Sequence, residues 1–73
     1  MPYLMEVFEG EEARKEAQEM PPTGPGFAQD QLKDVFRLEI WGSLFSDPGS
    51  DYVEWRLFDI RGNRINDRRV EGY

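Results

Sequence analysis

Hydrophobic and polar residues alternate most regularly over residues 35–45 and again over residues 52–58. This period of two predicts two strands, each with one buried face. The predicted core-facing side chains are Phe36, Leu38, Ile40, Leu44, Val53, Trp55 and Leu57. The intervening stretch SDPGSD contains the Pro-Gly pair of a type II turn, so the two strands are predicted to form a hairpin.

The register of this hairpin follows from its two apolar sets, because a slip of one residue would expose one of them. A tight turn places Gly42 opposite Trp55, where the glycine leaves room for the indole. The same register places Trp41 opposite Arg56 on the outer face, where the two side chains can form a cation–π contact.

The stretch DIRGN predicts a second hairpin, with Gly62 in a left-handed conformation. The expected register sets Leu57 against Ile65 in the core and Glu54 against Arg68 on the outer face. The last strand is weakly apolar and rich in arginine, which favours an edge position.

The first 20 residues predict a strand followed by a helix. Residues 3–8, YLMEVF, are rich in aromatic and β-branched side chains, which favours a strand; a helix with Pro2 in its first turn is the alternative. Residues 9–20 are mostly good helix formers. The narrow apolar face of this helix consists of Ala13, Ala17 and Met20.

Residues 21–26, PPTGPG, end the helix and form a stiff connection. The stretch FAQDQLKD after it predicts a single helical turn. The element order is therefore β-α-β-β-β, an α+β fold with one helix packed on one face of a mostly antiparallel sheet. We expect one domain over residues 1–73.

The size and composition of the chain limit the kinds of protein that it can be. A 73-residue chain without cysteine has neither disulfides nor a thiolate metal site, so its small core predicts association with a partner or with a second copy. The lack of cysteine favours a reducing compartment, and no leader or membrane-spanning run is evident, so a cytoplasmic location is expected.

The chain also lacks histidine, so the usual proton shuttle and the best nucleophile are both missing. We therefore expect a non-enzymatic protein without cofactor or metal; a small carboxylate hydrolase is the enzymatic alternative. Asp47, Ser50 and Asp51 could ligate calcium, but the twelve-residue calcium-loop pattern is absent and a solvated turn explains them better.

Charge is distributed unevenly: residues 1–55 carry a net charge of −8 and residues 56–73 carry +2. A net-acidic chain is a poor candidate for binding nucleic acid directly. The candidate acidic surface consists of Glu12, Glu16 and Glu19 on one flank of the helix, with Asp30 and Asp34 after the connection. Its carboxylates can imitate phosphates and dock on a basic groove, whereas an ordinary solvated helix is the alternative.

The outer face of the sheet is the second candidate surface. Its predicted members are Arg37, Trp41, Tyr52, Arg56, Phe58, Arg64 and Arg68. Trp41, Arg56 and Phe58 are of the types that dominate interfaces, and form the candidate partner-binding anchor. The alternative is structural, with ion pairs to Glu39 and Glu54 around aromatics that pack on their neighbours.

Two functional hypotheses follow. In the first, the protein inhibits a larger protein, such as a nuclease complex, by covering its basic nucleic-acid-binding surface. This action would be anti-CRISPR-like, and the analogy rests on the small size and acidic charge of the chain. In the second, it is an accessory subunit of a cytoplasmic complex, bound through the sheet face. Salt separates the two, because it weakens the acidic contact far more than the aromatic one.

Overall fold

The computed structural model describes residues 2–43 and 51–71. Within them the strands are β1 (Tyr3–Glu9), β2 (Arg37–Ser43), β3 (Tyr52–Phe58) and β4 (Arg64–Glu71). They form one antiparallel sheet in the order β1-β2-β3-β4, accompanied by helix α1 (Glu11–Gln18) and a 3₁₀ turn (Gln29–Leu32). The predicted α+β class, element order and first strand are confirmed.

Helix α1 is two residues shorter at each end than predicted. At its start, Gly10 has a φ of 66°, which favours glycine, and its N–H donates to the carbonyl of Phe36 at 2.7 Å. At its end, Glu19 leaves the helical conformation with a ψ of 134°. Met20 therefore lies outside the helix and is 69% exposed, so its predicted place on the apolar face was wrong.

The core lies between the sheet and a layer made of α1 and the segment that follows it. Ala13 and Ala17 are fully buried, and their small side chains let the helix lie close to the sheet. The buried apolar cluster consists of Ala13, Ala17, Phe27, Leu32, Val35, Leu38, Val53, Trp55 and Leu57. The predicted single-sided packing is thus present.

The register of the β2–β3 hairpin differs from the prediction by two residues. Ile40 lies opposite Trp55, and Gly42 lies opposite Val53. The even shift keeps both apolar sets on the core face, which is why alternation alone could not detect it. The Met5 side chain, and not the Trp55 indole, occupies the space beside Gly42. A Cβ at this glycine would lie 2.5 Å from the Met5 sulfur.

The described part of β2 starts later than the predicted strand. Val35 is buried before the strand begins, and the N–H of Phe36 donates to the carbonyl of Phe58 at 2.8 Å. The predictions for Leu44, for the SDPGSD turn and for calcium at Asp47 and Ser50 lie outside the described residues.

The second hairpin has the predicted turn. The N–H of Gly62, which has a φ of 89°, donates to the carbonyl of Asp59 at 3.0 Å. The Asp59 carboxylate accepts the backbone N–H groups of Asn63 and Arg61, each at 2.9 Å. The hydrogen bond from the Asn63 backbone, with others in the turn, holds the pKa of this exposed carboxyl below its ordinary value.

An irregularity one residue into β4 changes the pairing beyond the turn. Leu57 lies opposite Asn66, and Trp55 lies opposite Arg68, so the predicted Leu57–Ile65 and Glu54–Arg68 pairs were wrong. Arg68 consequently belongs to the core face. Its guanidinium stacks on the ring of Phe27 at 4.9 Å, and its Nη1 donates to the carbonyl of Pro25.

Candidate protein-interaction surfaces

Arginine and glutamate pairs run along the strands of the outer sheet face. Each pair joins residues two apart on one strand, whose side chains share a face. The Nε of Arg37 lies 2.9 Å from Glu39, the Nη2 of Arg56 lies 2.7 Å from Glu54, and the Nε of Arg69 lies 3.0 Å from Glu71. The arginine charge of this face is therefore balanced within the face itself.

Trp41 and Arg56, two members of the predicted anchor, are in contact. The Arg56 guanidinium lies 4.5 Å from the centre of the Trp41 ring, although Glu39, not Trp41, is its direct cross-strand neighbour. The indole Nε1 donates to Glu39 at 2.9 Å. The predicted cation–π contact is confirmed, but it is diagonal across the strands.

Phe58, the third predicted anchor residue, is half-buried at the other end of β3. Its cross-strand neighbours are Arg37 on β2 and Arg64 on β4. At the opposite end, the Arg69 guanidinium stacks 3.9 Å from the centre of the Tyr52 ring, a contact that the sequence did not predict. A mutual packing of charged and aromatic side chains therefore accounts for this face without a partner.

The acidic residues of α1 have a different environment. Glu12 is exposed and Glu16 is half-buried, one helical turn further on. Within residues 2–43 and 51–71, no lysine or arginine nitrogen lies within 4 Å of either carboxylate. Their charge is therefore directed at solvent.

Glu19 lies beyond the helix, so it does not continue the flank as predicted. Its carbonyl accepts the N–H of Gly26 at 2.8 Å, which fixes its backbone against the connection. Its side chain borders a wide groove of about 750 Å³ together with Arg14 and Lys15. The Nη1 of Arg14 donates to the carbonyl of Val35 at 3.1 Å, so this arginine is held by the backbone rather than by an acid.

Asp30 and Asp34 lie apart from the helix flank. Asp30 is in the first turn of the 3₁₀ segment, which packs against α1, and is exposed. Asp34 is exposed beside the turn of the second hairpin, where it borders a shallow groove with Arg61. The five predicted carboxylates thus do not follow one helix flank, because Asp30 lies on the 3₁₀ segment and Asp34 lies beside the second hairpin turn.

Net negative charge is concentrated in the segment that contains α1 and the residues after it. Residues 9–36 contain seven acidic and three basic side chains, a net charge of −4, whereas residues 37–71 contain seven acidic and six basic ones, a net charge of −1. Of the five predicted carboxylates, none has an ion-pair partner in the described part of the chain, whereas Arg56, Arg64 and Arg69 each have one and Arg37 has two. Carboxylates without an ion pair in the described residues are therefore most frequent on α1 and in the segment after it.

The described residues also bear on a metal site and on a membrane span. No three acidic side chains converge as metal ligands among the residues that the structure describes. The described helices also include none that is long and apolar enough to span a membrane. Comparisons with protein families, with curated proteins and with solved structures give no match, so the functional proposal rests on the residues and geometry of this chain.

Proposed function

We propose that this protein is a non-enzymatic inhibitor that docks through its acidic surface on a basic, nucleic-acid-binding surface of a larger protein. The acidic surface consists of Glu12, Glu16, Glu19, Asp30 and Asp34. The main support for this proposal is that these carboxylates have no cation within 4 Å in the described residues. In contrast, each outer-face arginine is paired with a carboxylate of the same face.

Charge arrangement supports this mode of docking. Residues four apart on a helix are separated by about 6 Å along its axis, which is comparable to the spacing of phosphates along a nucleic-acid strand. Carboxylates held on a folded body are ordered before binding, so docking them costs less side-chain entropy than ordering a disordered acidic tail. Complementary charge also accelerates encounter with a basic groove.

The sheet-face alternative has less support from the contacts. A partner that docked on Trp41 would have to replace its stacked arginine and its hydrogen bond to Glu39 with contacts of equal worth. Among residues 2–43 and 51–71, the five acidic side chains have no ion pair to lose. An accessory subunit bound through the sheet would resist salt, which keeps the two proposals experimentally distinct.

Reversal of three charges tests the acidic surface. We expect Glu12→Lys, Glu16→Lys and Glu19→Lys together to abolish capture of the target from a native-cell lysate, with the fold retained because none of the three belongs to the buried core. The wild-type complex should form at low salt and dissociate as salt is raised, because exposed charge contacts are screened. Thermal melting of the variant checks that the fold is intact.

A second triple variant controls for net charge. Glu6→Lys, Asp67→Lys and Glu71→Lys change the charge by the same amount at exposed positions on β1 and β4. This control should still capture the target. Capture by the variant with Glu12, Glu16 and Glu19 changed to lysine, or equal loss of capture in both triple variants, would contradict docking through the proposed acidic surface.

A further inference from the structure

Strand β1 lies at an edge of the sheet, where β2 is the only strand that pairs with it among the residues that the structure describes. The backbone N–H and C=O groups on its free side have no hydrogen-bond partner within the described residues. An unpaired edge of this kind is a template for one more strand. The backbone of β1 therefore specifies what can dock on it, which is an extended polypeptide chain.

The two edges of the sheet differ in their side chains. At the other edge, β4 carries five charged residues in its eight positions, and charged side chains on an edge discourage pairing with another chain. Strand β1 instead exposes four apolar side chains, each between 36% and 54% exposed: Tyr3, Leu4, Met5 and Val7. The side chains therefore favour pairing at β1 and oppose it at β4.

An irregularity in β1 determines which of its side chains share a face. Tyr3 and Phe8 pair with core-facing residues of β2, whereas Leu4 and Val7 pair with outer-facing residues. The pairing skips Met5, which is the extra residue of a bulge. Because directly opposite side chains share a face, residues 3 and 8 lie on the core face and residues 4 and 7 lie on the outer face. A regular strand would place each of these pairs on opposite faces.

The side chains of residues 3–8 have the same order of types in both directions. The segment YLMEVF begins with an aromatic and an aliphatic residue and ends with an aliphatic and an aromatic residue. Antiparallel pairing with a second copy, about a two-fold axis at the centre of this segment, places Tyr3 opposite Phe8 and Leu4 opposite Val7. Both pairs match in type and, because of the bulge, in face. The edge is therefore complementary to itself.

We propose that two copies of this chain associate through antiparallel pairing of their β1 strands, so that their two sheets become one. The two-fold symmetry forms each cross-strand pair twice, Tyr3 with Phe8 on the core face and Leu4 with Val7 on the outer face. Aromatic and aliphatic pairs of this kind stabilise antiparallel strands. This interface goes beyond the proposed inhibitor function and does not rest on it.

The contact is small, so the dimer is expected to be weak. A stable interface usually takes about 20–30 residues from each partner, whereas β1 has seven. Two copies that each carry a net charge of −6 also repel one another. We expect a dissociation constant on the order of 100 μM, which falls as salt screens the repulsion. Salt should weaken capture through the acidic surface, so the two contacts respond to it in opposite directions.

Sedimentation equilibrium over a range of protein concentrations measures the association. We expect wild-type protein to show a reversible monomer–dimer equilibrium, with backbone amide shifts that change with concentration in β1 and not in β4. Protein that stays monomeric up to about 1 mM would overturn the proposal and leave β1 for a strand of another protein. Concentration-dependent shifts confined to other elements would also overturn it.

Charge substitutions test the proposed register. Leu4→Lys alone and Val7→Glu alone should each weaken the dimer at least about tenfold, because each places a charge against an apolar side chain. The double variant should recover most of the affinity, since the new ammonium lies opposite the new carboxylate of the second copy at both symmetry-related positions. Ile65→Lys, a matched change at an exposed position of β4, should leave the dimer unchanged. A double variant no tighter than the single ones would overturn the register.

Glu6→Gln tests the position of the axis by a gain of affinity. Glu6 of each copy lies beside the proposed axis, diagonal to Glu6 of the other copy, so these like charges oppose association. At low salt the variant should dimerise about threefold more tightly, which partial unfolding would not produce. Glu71→Gln removes the same charge from β4 and should have a smaller effect. Equal tightening in the two variants would show an effect of net charge alone and overturn the placement of the axis.

Discussion

Leu57→Ala is expected to lower the free energy of unfolding by about 2–5 kcal/mol, because it removes a fully buried side chain and leaves a cavity. A domain of this size has a total stability on the order of 4–11 kcal/mol, so the variant should lose a large share of its stability. Chemical denaturation followed by tryptophan fluorescence measures the change, and Trp55 in the same core reports it.

Ile65→Ala is the matched control for this effect. The alternation of the sequence pairs Ile65 with Leu57 in the core, but the irregularity in β4 leaves Ile65 41% exposed and places Asn66 opposite Leu57. Its loss should therefore cost less than about 1 kcal/mol. Equal costs for the two substitutions would contradict the observed register of β4.

Gly24→Ala is expected to be the second most damaging single change, with a loss of about 2–4 kcal/mol. A Cβ at Gly24 would lie 2.5 Å from both the Cβ and the carbonyl oxygen of Glu19. Neither atom can move freely, because the same carbonyl accepts the N–H of Gly26 at 2.8 Å. Thermal melting measures the loss as a lower midpoint.

Gly62→Ala separates crowding from backbone strain. No atom lies within 4 Å of a Cβ built at Gly62, so no side chain is crowded by this change. The loss of stability comes only from holding alanine at a φ of 89°, which costs about 1–2 kcal/mol. The melting temperature of Gly24→Ala should therefore fall further. A Gly24→Ala protein as stable as the wild type would show that the connection can shift away from the end of α1.

Local sequence patterns predict which face of each strand is buried, but not how the strands pair. Alternation identifies the faces of β2 and β3, because side chains on a pleated strand follow a period of two whatever the partner strand does. The same property hides the two-residue shift between them, since an even slip keeps every face unchanged. The irregularity at Ile65 adds one residue and sends Arg68 to the core face, which no local pattern indicates.

The candidate surfaces were predictable to different degrees. Glu12 and Glu16 share a helix, so their relation follows from helical geometry. The place of Glu19 depends on Gly24 and Gly26 in the connection, which is a tertiary contact. The groove lined by Tyr3, Met5, Ile40, Val53 and Trp55 was not predictable, because its lining comes from three strands and from Thr23 of the Pro/Gly connection.

Competition with nucleic acid tests the proposed inhibitor most directly. The captured target is loaded with its own nucleic acid, labelled with a fluorophore, and titrated with this protein at low salt while fluorescence anisotropy is recorded. The account predicts stoichiometric release of the nucleic acid by wild-type protein and none by the variant with Glu12, Glu16 and Glu19 changed to lysine. A ternary complex, in which this protein binds and the nucleic acid stays bound, would contradict it.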